Sequence, residues 1–328
     1  MPPPGYYYAP PHRRRRGGAG AGLAVALGFA AFLFVAGAIA INALAPSSST
    51  TPSVGAPPAV PAVTSSPESL SQPSPGEPRG TTSGTGSRGI ETATANRLYQ
   101  VDRLNGYGCR GRPIAPGVSV SFAAFLHATT DCLDRSWATA FSEAGMPFQR
   151  PTRVFWARPG RSPCGDYPAP GAAAFYCPLN DGIYIGVTHA QESAGGLPVR
   201  YNVTYAREVA HEYGHHVQEQ SGILDYSHEA RMRAGSLGER NAITRRSELQ
   251  AQCLAGTFMS AVRPSFPVTN QQWQIALRDS YGRGDDPSRP GARDHGSRRH
   301  YASWLNYAYL RGSPSACNTW TANPSDVS

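Results

Sequence analysis

The 328-residue chain contains no lysine, and all 30 of its basic residues are therefore arginine. It also lacks acidic residues before Glu68, so the run Arg13–Arg16 alone supplies half of the formal net charge of +8. The charge that remains for the rest of the chain is modest, and the exclusive use of arginine indicates a compositional bias rather than a nucleic-acid surface. The composition therefore predicts no nucleic-acid partner.

A C-x-x-C pair is also absent, which argues against a metal site built from cysteine thiolates. Six cysteines are present, and all of them lie beyond residue 89. An even number of cysteines in an oxidising compartment predicts three disulfides. Their order along the chain suggests neighbouring pairs, although six cysteines allow 15 connectivities and the sequence alone does not choose. The suggested pairs are Cys109–Cys132, Cys164–Cys177 and Cys253–Cys317.

Charged residues are missing from Gly17 to Ala45, and residues 23–44 are almost wholly small or apolar. About 20 such residues cross a bilayer, so residues 17–45 are predicted to form a single transmembrane segment. The arginines Arg13–Arg16 lie immediately before it, which by the positive-inside rule places residues 1–16, a Pro/Tyr-rich tail, in the cytoplasm. The predicted location is the cell membrane, with a single pass and everything beyond Ala45 extracytoplasmic.

A cleaved secretory signal is the alternative interpretation of this apolar segment. Ala43-Leu44-Ala45 has the A-x-A form of a cleavage site, although the segment is longer than the usual 7–15 residues of a signal core. Cleavage after Ala45 would make the protein secreted.

Large apolar side chains are nearly absent from residues 46–88, which are rich in Ser, Thr, Pro and Gly. Such a segment cannot bury enough surface to offset the entropy of ordering, so it is predicted to be a disordered linker. Aromatic and periodic apolar residues return over residues 89–328. That span is long enough for one substantial core and is predicted to be a single domain.

Apolar periodicity predicts an α+β fold for this domain, with a small sheet followed mostly by helices. Turn residues at Asn180-Asp181-Gly182 separate the last two of three predicted strands. The predicted strands are Thr152–Ala157, Ala174–Cys177 and Ile183–Val187. The predicted helices cover Phe122–Ala144, Val203–Val217, Arg246–Val262, Asn270–Tyr281 and Arg299–Arg311.

His211-Glu212-Tyr213-Gly214-His215 has the spacing H-E-x-x-H within one of the predicted helices. Residues four apart lie on the same helix face, so the two imidazoles can share one metal ion with the glutamate beside them. Zinc suits two neutral histidines plus a carboxylate and leaves one coordination position to a water. The motif therefore predicts a hydrolase with Zn²⁺ as cofactor, in which His211 and His215 bind the metal and Glu212 is the catalytic base. Tyr213 and His216 are predicted to be packing residues.

A third protein ligand is needed to complete such a site. The pattern H-E-x-x-H-x-x-G-x-x-H is excluded, because Gln218 and Ser221 stand at its glycine and third histidine. Among the downstream carboxylates, only Glu248 lies early on a strongly patterned helix that can pack against the first. Glu248 is therefore predicted to be the third metal ligand. The alternative is a surface glutamate that favours the dipole at a helix start.

The chain resembles the bacterial neutral zinc metallopeptidases over residues 95–320, approximately. The resemblance implies a zincin-like metallopeptidase domain, with His211, His215 and Glu248 as zinc ligands and Glu212 as base. It depends on five segments: Phe175-Tyr176-Cys177-Pro178, residues 211–218, Glu248-Leu249-Gln250-Ala251 with Cys253 and Ala255-Gly256, His295-Gly296-Ser297, and Cys317-Asn318-Thr319-Trp320.

Gln252 departs from the family pattern, which normally has an aspartate four residues after the glutamate ligand. That aspartate is expected to orient a zinc histidine and to raise its basicity. Gln252 can accept the same hydrogen bond through its amide oxygen, but it carries no charge. Weak zinc retention or slow turnover is therefore expected.

His295 is the second residue with a predicted catalytic role. Placed in the cleft, it would stabilise the oxyanion that forms when water attacks a carbonyl. The alternative is a loop histidine that is bonded to backbone.

The strand Ile183–Val187 is expected to lie along the substrate, because zincin hydrolases usually bind the substrate at an edge strand above the cleft. The alternative for this strand is an ordinary position in the core of the sheet.

Together these patterns predict a membrane-anchored, extracytoplasmic zinc endopeptidase that acts on proteins or peptides, with residues 89–328 as the metallopeptidase domain. The alternative is a catalytically weak or inactive zincin-fold protein that binds envelope proteins or peptides. A third hypothesis, hydrolysis of a non-peptide amide in the cell wall, uses the same residues. The oligomeric state is not predicted.

Overall fold

The computed structural model describes residues 89–328 except for 116, 169–172, 189–201, 267, 286 and 288–292. The predicted cytoplasmic tail, transmembrane segment and linker, residues 1–88, lie outside the described residues. Among the helices in the described part of the chain, none combines the length and the apolar character that a membrane span requires.

The described residues form a mixed α+β fold in which a small sheet precedes most of the helices. The helices are α1 (Glu91–Thr94), α2 (Ser119–Glu143), α3 (Asn202–Gln220), α4 (Ile223–Arg233), α5 (Leu237–Val262), α6 (Asn270–Arg283) and α7 (Arg298–Arg311). The strands are β1 (Thr152–Trp156), β2 (Gly160–Ser162), β3 (Gly165–Tyr167), β4 (Ala174–Cys177) and β5 (Gly182–Gly186). Short 3₁₀ turns cover Arg97–Gln100, Pro178–Asn180, Pro314–Cys317 and Pro324–Val327.

β5 is the central strand of the three-stranded sheet, whose order is β1-β5-β4. It pairs in parallel with β1 and antiparallel with β4, and all five of its residues are buried. The expectation that Ile183–Val187 forms an edge strand is therefore wrong, and among the strands that the structure describes, β1 and β4 are the outer ones. The uninterrupted apolar run Ile183-Tyr184-Ile185 is the physical reason, since such a run suits a strand that is covered on both faces.

Two glycines allow the long helix α5 to approach its neighbours closely. A Cβ atom on Gly214 of α3 would lie 2.8 Å from the carbonyl oxygen of Ala251, and one on Gly256 would lie 2.2 Å from that of Leu305 in α7. Only glycine therefore permits these two helix crossings. The first crossing brings the H-E-x-x-H segment of α3 against the turn of α5 that contains Glu248.

The start of α5 differs from the prediction by nine residues. The helix begins at Leu237 rather than near Arg246, and the side chain of Ser236 caps it by accepting the backbone N–H of Glu239. Its first turns are exposed, so they carry no apolar stripe from which a helix is predicted. Helix α4 has no counterpart among the predicted helices, because it begins directly after Gly222, whose positive φ of 77° ends the preceding segment.

The three suggested disulfides are all present among the described residues. Cys109–Cys132 ties the loop before α2 to that helix, and Cys164–Cys177 ties the β2–β3 hairpin to β4. Cys253–Cys317 ties α5 to the 3₁₀ turn that follows α7. The cysteine pairing is thus confirmed, and it fixes the carboxy-terminal segment against the helix that contains Glu248.

A buried network of four charges joins α3 to α6, one turn before the histidine motif. Arg207 contacts Glu208 and Asp279, and Arg283 pairs with the same two carboxylates at 3.1 and 2.8 Å. Burial would raise the pKa of Glu208, but the charges of Arg283 and Arg207 outweigh it and lower that pKa below its ordinary value of 4.5. The network therefore stabilises the ionised carboxylate inside the fold.

Arg207→Met is expected to lower the free energy of unfolding by about 3–5 kcal/mol, because it leaves two buried carboxylates with one arginine. A carboxyl group with a lowered folded pKa contributes stability above its ordinary pKa and loses it as the pH falls through the lowered value. The cost of the substitution should therefore be large at pH 7 and should shrink below pH 4.5. Denaturant unfolding of the wild type and the variant, at pH 7 and again below pH 4.5, measures this change in the free energy of unfolding. Arg161→Met, which removes an exposed pair with Asp166, serves as the control and should change little.

Candidate metal centre

The three predicted ligands converge in the structure. Nε2 of His211 lies 3.3 Å from one carboxylate oxygen of Glu248, and Nε2 of His215 lies 3.5 Å from the other. The two imidazole rings are nearly perpendicular, with centroids 4.9 Å apart. Each residue offers one ligand atom, and these three atoms all lie within 4.8 Å of one another.

The donor set fits zinc. Two imidazole nitrogens and one carboxylate oxygen form the His₂Glu combination that zinc accepts in catalytic sites, where the fourth position belongs to water or substrate. Both imidazoles turn the same nitrogen, Nε2, towards Glu248, so their lone pairs can be directed at a single point. The three side chains are mostly buried, which favours ligands held in fixed orientations.

The pKa shifts at these ligands reflect their mutual contact. Burial would raise the pKa of Glu248, but its contacts with His215 and His211 lower that pKa well below the ordinary value. Burial lowers the pKa of His211, and this effect outweighs its hydrogen bond to Glu248. Burial acts the same way on His215, but the charges of Glu248 and Glu212 raise its pKa to about 9. An ionised carboxylate thus lies between two nitrogen ligands, which is what a divalent cation requires.

Glu212 lies beside the ligands, directly after His211 in α3. Only 7% of the residue is exposed, and burial raises the pKa of its carboxyl group to about 8, with Glu208 and Glu248 adding to the effect and His215 opposing it. In the part of the chain that the structure describes, its carboxylate has no hydrogen-bond or ion-pair partner. It is therefore available to exchange a proton with a bound water or substrate.

Gln252 accepts the hydrogen bond that an aspartate would accept at this position. Its Oε1 lies 3.1 Å from Nδ1 of His211, and its Nε2 donates to Oγ of Ser280 at 3.1 Å. A serine hydroxyl both donates and accepts, so it does not dictate which way the amide points. Gln252 can therefore reverse and offer its NH₂ group to His211, which favours the imidazole tautomer with the proton on Nε2. A carboxylate at this position would exclude that tautomer.

His295 lies at the margin of the cluster. The adjacent Gly296 packs against Leu249, the neighbour of Glu248, and the ring of Tyr301 contacts both His295 and His211 at centroid distances of 6.2 and 5.9 Å. Nδ1 of His295 bonds the carboxylate of Asp294 at 2.8 Å, which is the main cause that raises its pKa to about 9. Nδ1 of the ring is therefore bonded to a side chain rather than to backbone, and the catalytic role of His295 stays a prediction.

Sequence reasoning missed several residues of the site. Asp294 and Gln218 could have been found, since one adjoins His295 and the other lies one helical turn after His215. Tyr301 could not have been found from the sequence, because an aromatic residue in an amphipathic helix is predicted to be a core residue.

Tyr213 and His216 do serve in packing, as predicted. The Tyr213 hydroxyl donates to Asp134 at 2.7 Å, and the His216 ring bonds the backbone carbonyl of Gln149 and the hydroxyl of Tyr176.

Comparison with known proteins identifies the family of this chain. Residues 114–320 match a protein family described as "putative neutral zinc metallopeptidase". The uncharacterized protein YpfJ of Escherichia coli K12 is 27% identical over 219 residues, which cover 64% of this chain and 75% of YpfJ. The uncharacterized proteins Mb2605 of Mycobacterium bovis and Rv2575 of Mycobacterium tuberculosis H37Rv are each 29% identical over 221 residues, 60% of this chain and 69% of theirs. No solved structure matches. Because the family match spans more than half of the chain, this protein belongs to the neutral zinc metallopeptidase family.

Proposed function

We propose that this protein is a membrane-anchored, extracytoplasmic zinc endopeptidase that cleaves proteins or peptides. The observation that carries the proposal is the convergence of His211, His215 and Glu248 on one point, with the buried carboxylate of Glu212 beside them. The anchor and the location rest on the apolar residues 17–45 and on the arginines that precede them. Three disulfides agree with an oxidising compartment.

Each residue has a defined part in this chemistry. His211, His215 and Glu248 would hold zinc, which when bound lowers the pKa of a water from 15.7 to about 7 and polarises a carbonyl. Glu212 accepts the proton of the attacking water and later donates it to the departing amine. His295, whose ring bonds Asp294, would donate a hydrogen bond to the oxygen on which negative charge develops.

Removal of metal tests the proposal directly. The purified full chain is expected to contain one zinc per molecule, and a chelator should abolish cleavage of a broad peptide library. Added Zn²⁺ should restore cleavage, whereas Mg²⁺ should not, because Mg²⁺ prefers oxygen ligands in octahedral geometry. Zinc at 100 times its Kd should also stabilise the fold by about 2.7 kcal/mol, which thermal unfolding with and without metal would reveal. A full chain that binds no zinc would refute the proposal.

Gln252, the uncharged hydrogen-bond partner of His211, favours a second candidate function. In this function the protein is catalytically weak or inactive and binds envelope proteins or peptides. The resemblance implies an aspartate at position 252, where this chain has Gln252, and an amide bonded to a hydroxyl does not fix the His211 tautomer. Zinc content does not separate the two functions, since an inactive relative can still bind metal. Zinc binding without cleavage of peptides or of isolated cell-wall material would favour the second.

A further inference from the structure

The two zinc histidines differ in how firmly their orientation is fixed. Nδ1 of His215 lies 3.0 Å from Oε1 of Gln218, a residue with no exposed surface. Nε2 of Gln218 donates to two acceptors on α5, the backbone carbonyl of Ser247 at 2.8 Å and Oε1 of Gln250 at 2.9 Å. Both hydrogens of this amide are thus used, and its oxygen must face His215.

Gln250 is equally buried and continues the chain of hydrogen bonds. Its Oε1 also accepts the indole N–H of Trp320 at 3.2 Å. Its Nε2 donates to the backbone carbonyl of Cys317 at 3.0 Å and to the hydroxyl of Tyr99 at 2.7 Å. The two lone pairs and the two hydrogens of the Gln250 amide are therefore all occupied.

The groups at the end of this chain cannot exchange their roles. An indole N–H only donates, and a backbone carbonyl only accepts. The Tyr99 hydroxyl donates its proton to the carbonyl of Ala93 at 2.8 Å, so towards Gln250 it acts as an acceptor. If the Gln250 amide were reversed, its NH₂ group would face the indole N–H of Trp320, so that two donors would meet. Its oxygen would face the carbonyl oxygen of Cys317, so that two acceptors would meet. Its orientation is unique, and so is that of Gln218.

We propose that Gln218 and Gln250 are positioning residues that fix the His215 tautomer with the proton on Nδ1 and the Nε2 lone pair directed at the metal position. They take their orientation from Tyr99, Cys317 and Trp320, which lie far from the motif in the sequence. This inference rests on the proposed role of His215 as a zinc ligand. It gives the carboxy-terminal segment, tied to α5 by the Cys253–Cys317 disulfide, a part in metal binding. His211 has no equivalent arrangement, because the amide of its partner Gln252 is bonded on the other side to the hydroxyl of Ser280, which both donates and accepts.

Zinc affinity of the full chain, measured by competition with a chelator, tests the proposal. Gln218→Met should weaken Zn²⁺ binding by about 10–100-fold, and Gln250→Met by about 10-fold, since partners of this kind typically contribute that range. The double variant should bind Zn²⁺ as weakly as Gln218→Met alone, because Gln250 acts through Gln218. Gln220→Met, the same change two residues further along α3, is the matched control and should bind as the wild type does.

Unfolding of the zinc-free variants separates positioning from a merely structural role. A structural role would lower the stability of the zinc-free and zinc-loaded proteins equally and leave the zinc affinity unchanged. Trp320→Phe removes the indole N–H and keeps an aromatic ring at this position, so it should weaken Zn²⁺ binding even if the glutamine variants do not fold. Wild-type affinity in the folded variants, or additive losses in the double variant, would overturn the inference. Absence of zinc binding by the wild type would overturn the proposed function as well.

Discussion

Glu212→Gln is expected to reduce peptide cleavage by about 10²–10⁴-fold, the usual contribution of a general base. Glutamine has the shape of glutamate but cannot accept the proton of an attacking water. The zinc content should stay at the wild-type level, because Glu212 is not among the three residues whose ligand atoms converge. Loss of turnover with retained metal is therefore the signature of the predicted base.

The measurement is kcat for a cleaved library peptide, together with zinc analysis of the same full-chain sample. Glu219→Gln supplies a matched control, since it makes the same change on α3 one turn beyond His215 and outside the cluster. That variant should cleave as the wild type does. Equal cleavage by Glu212→Gln and the wild type would show that another group takes the proton, without affecting the assignment of the ligands.

The histidine motif and its convergence with Glu248 were predictable because each follows from local rules. The helical period places His211 and His215 on one face, and Glu248 lies on the strongly patterned segment Arg246–Val262, although α5 begins at Leu237 and Glu248 is therefore near its middle. The disulfides were predictable from order because each cysteine pairs with its neighbour in the sequence, with separations of 23, 13 and 64 residues. For the histidine motif and the disulfides, the contacts in the folded structure are therefore the ones that local sequence patterns predict.

The position of β5 and the contacts that anchor Gln218 through Gln250 depend on long-range information that the sequence does not display. An apolar strand suits either an edge or a centre until its neighbours are known, and only the pairing with both β1 and β4 decides. Gln250 meets Tyr99 across 151 residues and Trp320 across 70. The side chain of Gln250 is uncharged and lies outside the histidine motif, so nothing in the sequence marked it as part of a metal site.

His215 and His211 each face a glutamine, but the two glutamines differ in how firmly they fix the orientation of the imidazole. Gln218 is held by groups of fixed character, whereas Gln252 ends on a hydroxyl that accepts or donates. If both histidines hold zinc as proposed, the orientation of His215 is fixed, whereas His211 is free to change its tautomer. Zinc affinity should consequently be limited at His211, which makes position 252 the most informative site for substitution.

Gln252→Glu is expected to raise zinc affinity by about 10–100-fold, and Gln252→Leu to lower it by a similar factor. A carboxylate of the same length accepts the Nδ1 hydrogen of His211 and cannot donate, so it excludes the wrong tautomer and raises the basicity of the ligand. Leucine removes the acceptor and leaves both His211 and the buried Ser280 without that partner. Chelator competition on the full chain measures both changes.

Gln271→Glu is the control for added charge, because Gln271 is an exposed residue of α6 and the change should leave zinc affinity as it is. Equal affinities of the Gln252→Glu and Gln252→Leu variants would contradict a role for this position in orienting His211. Cleavage measured in the same proteins then separates the two candidate functions. If the wild type is inactive and Gln252→Glu cleaves peptides, the neutral amide alone silences an otherwise complete site. If both are inactive with zinc bound, the cause lies elsewhere in the cleft, and peptide binding becomes the better description of the protein.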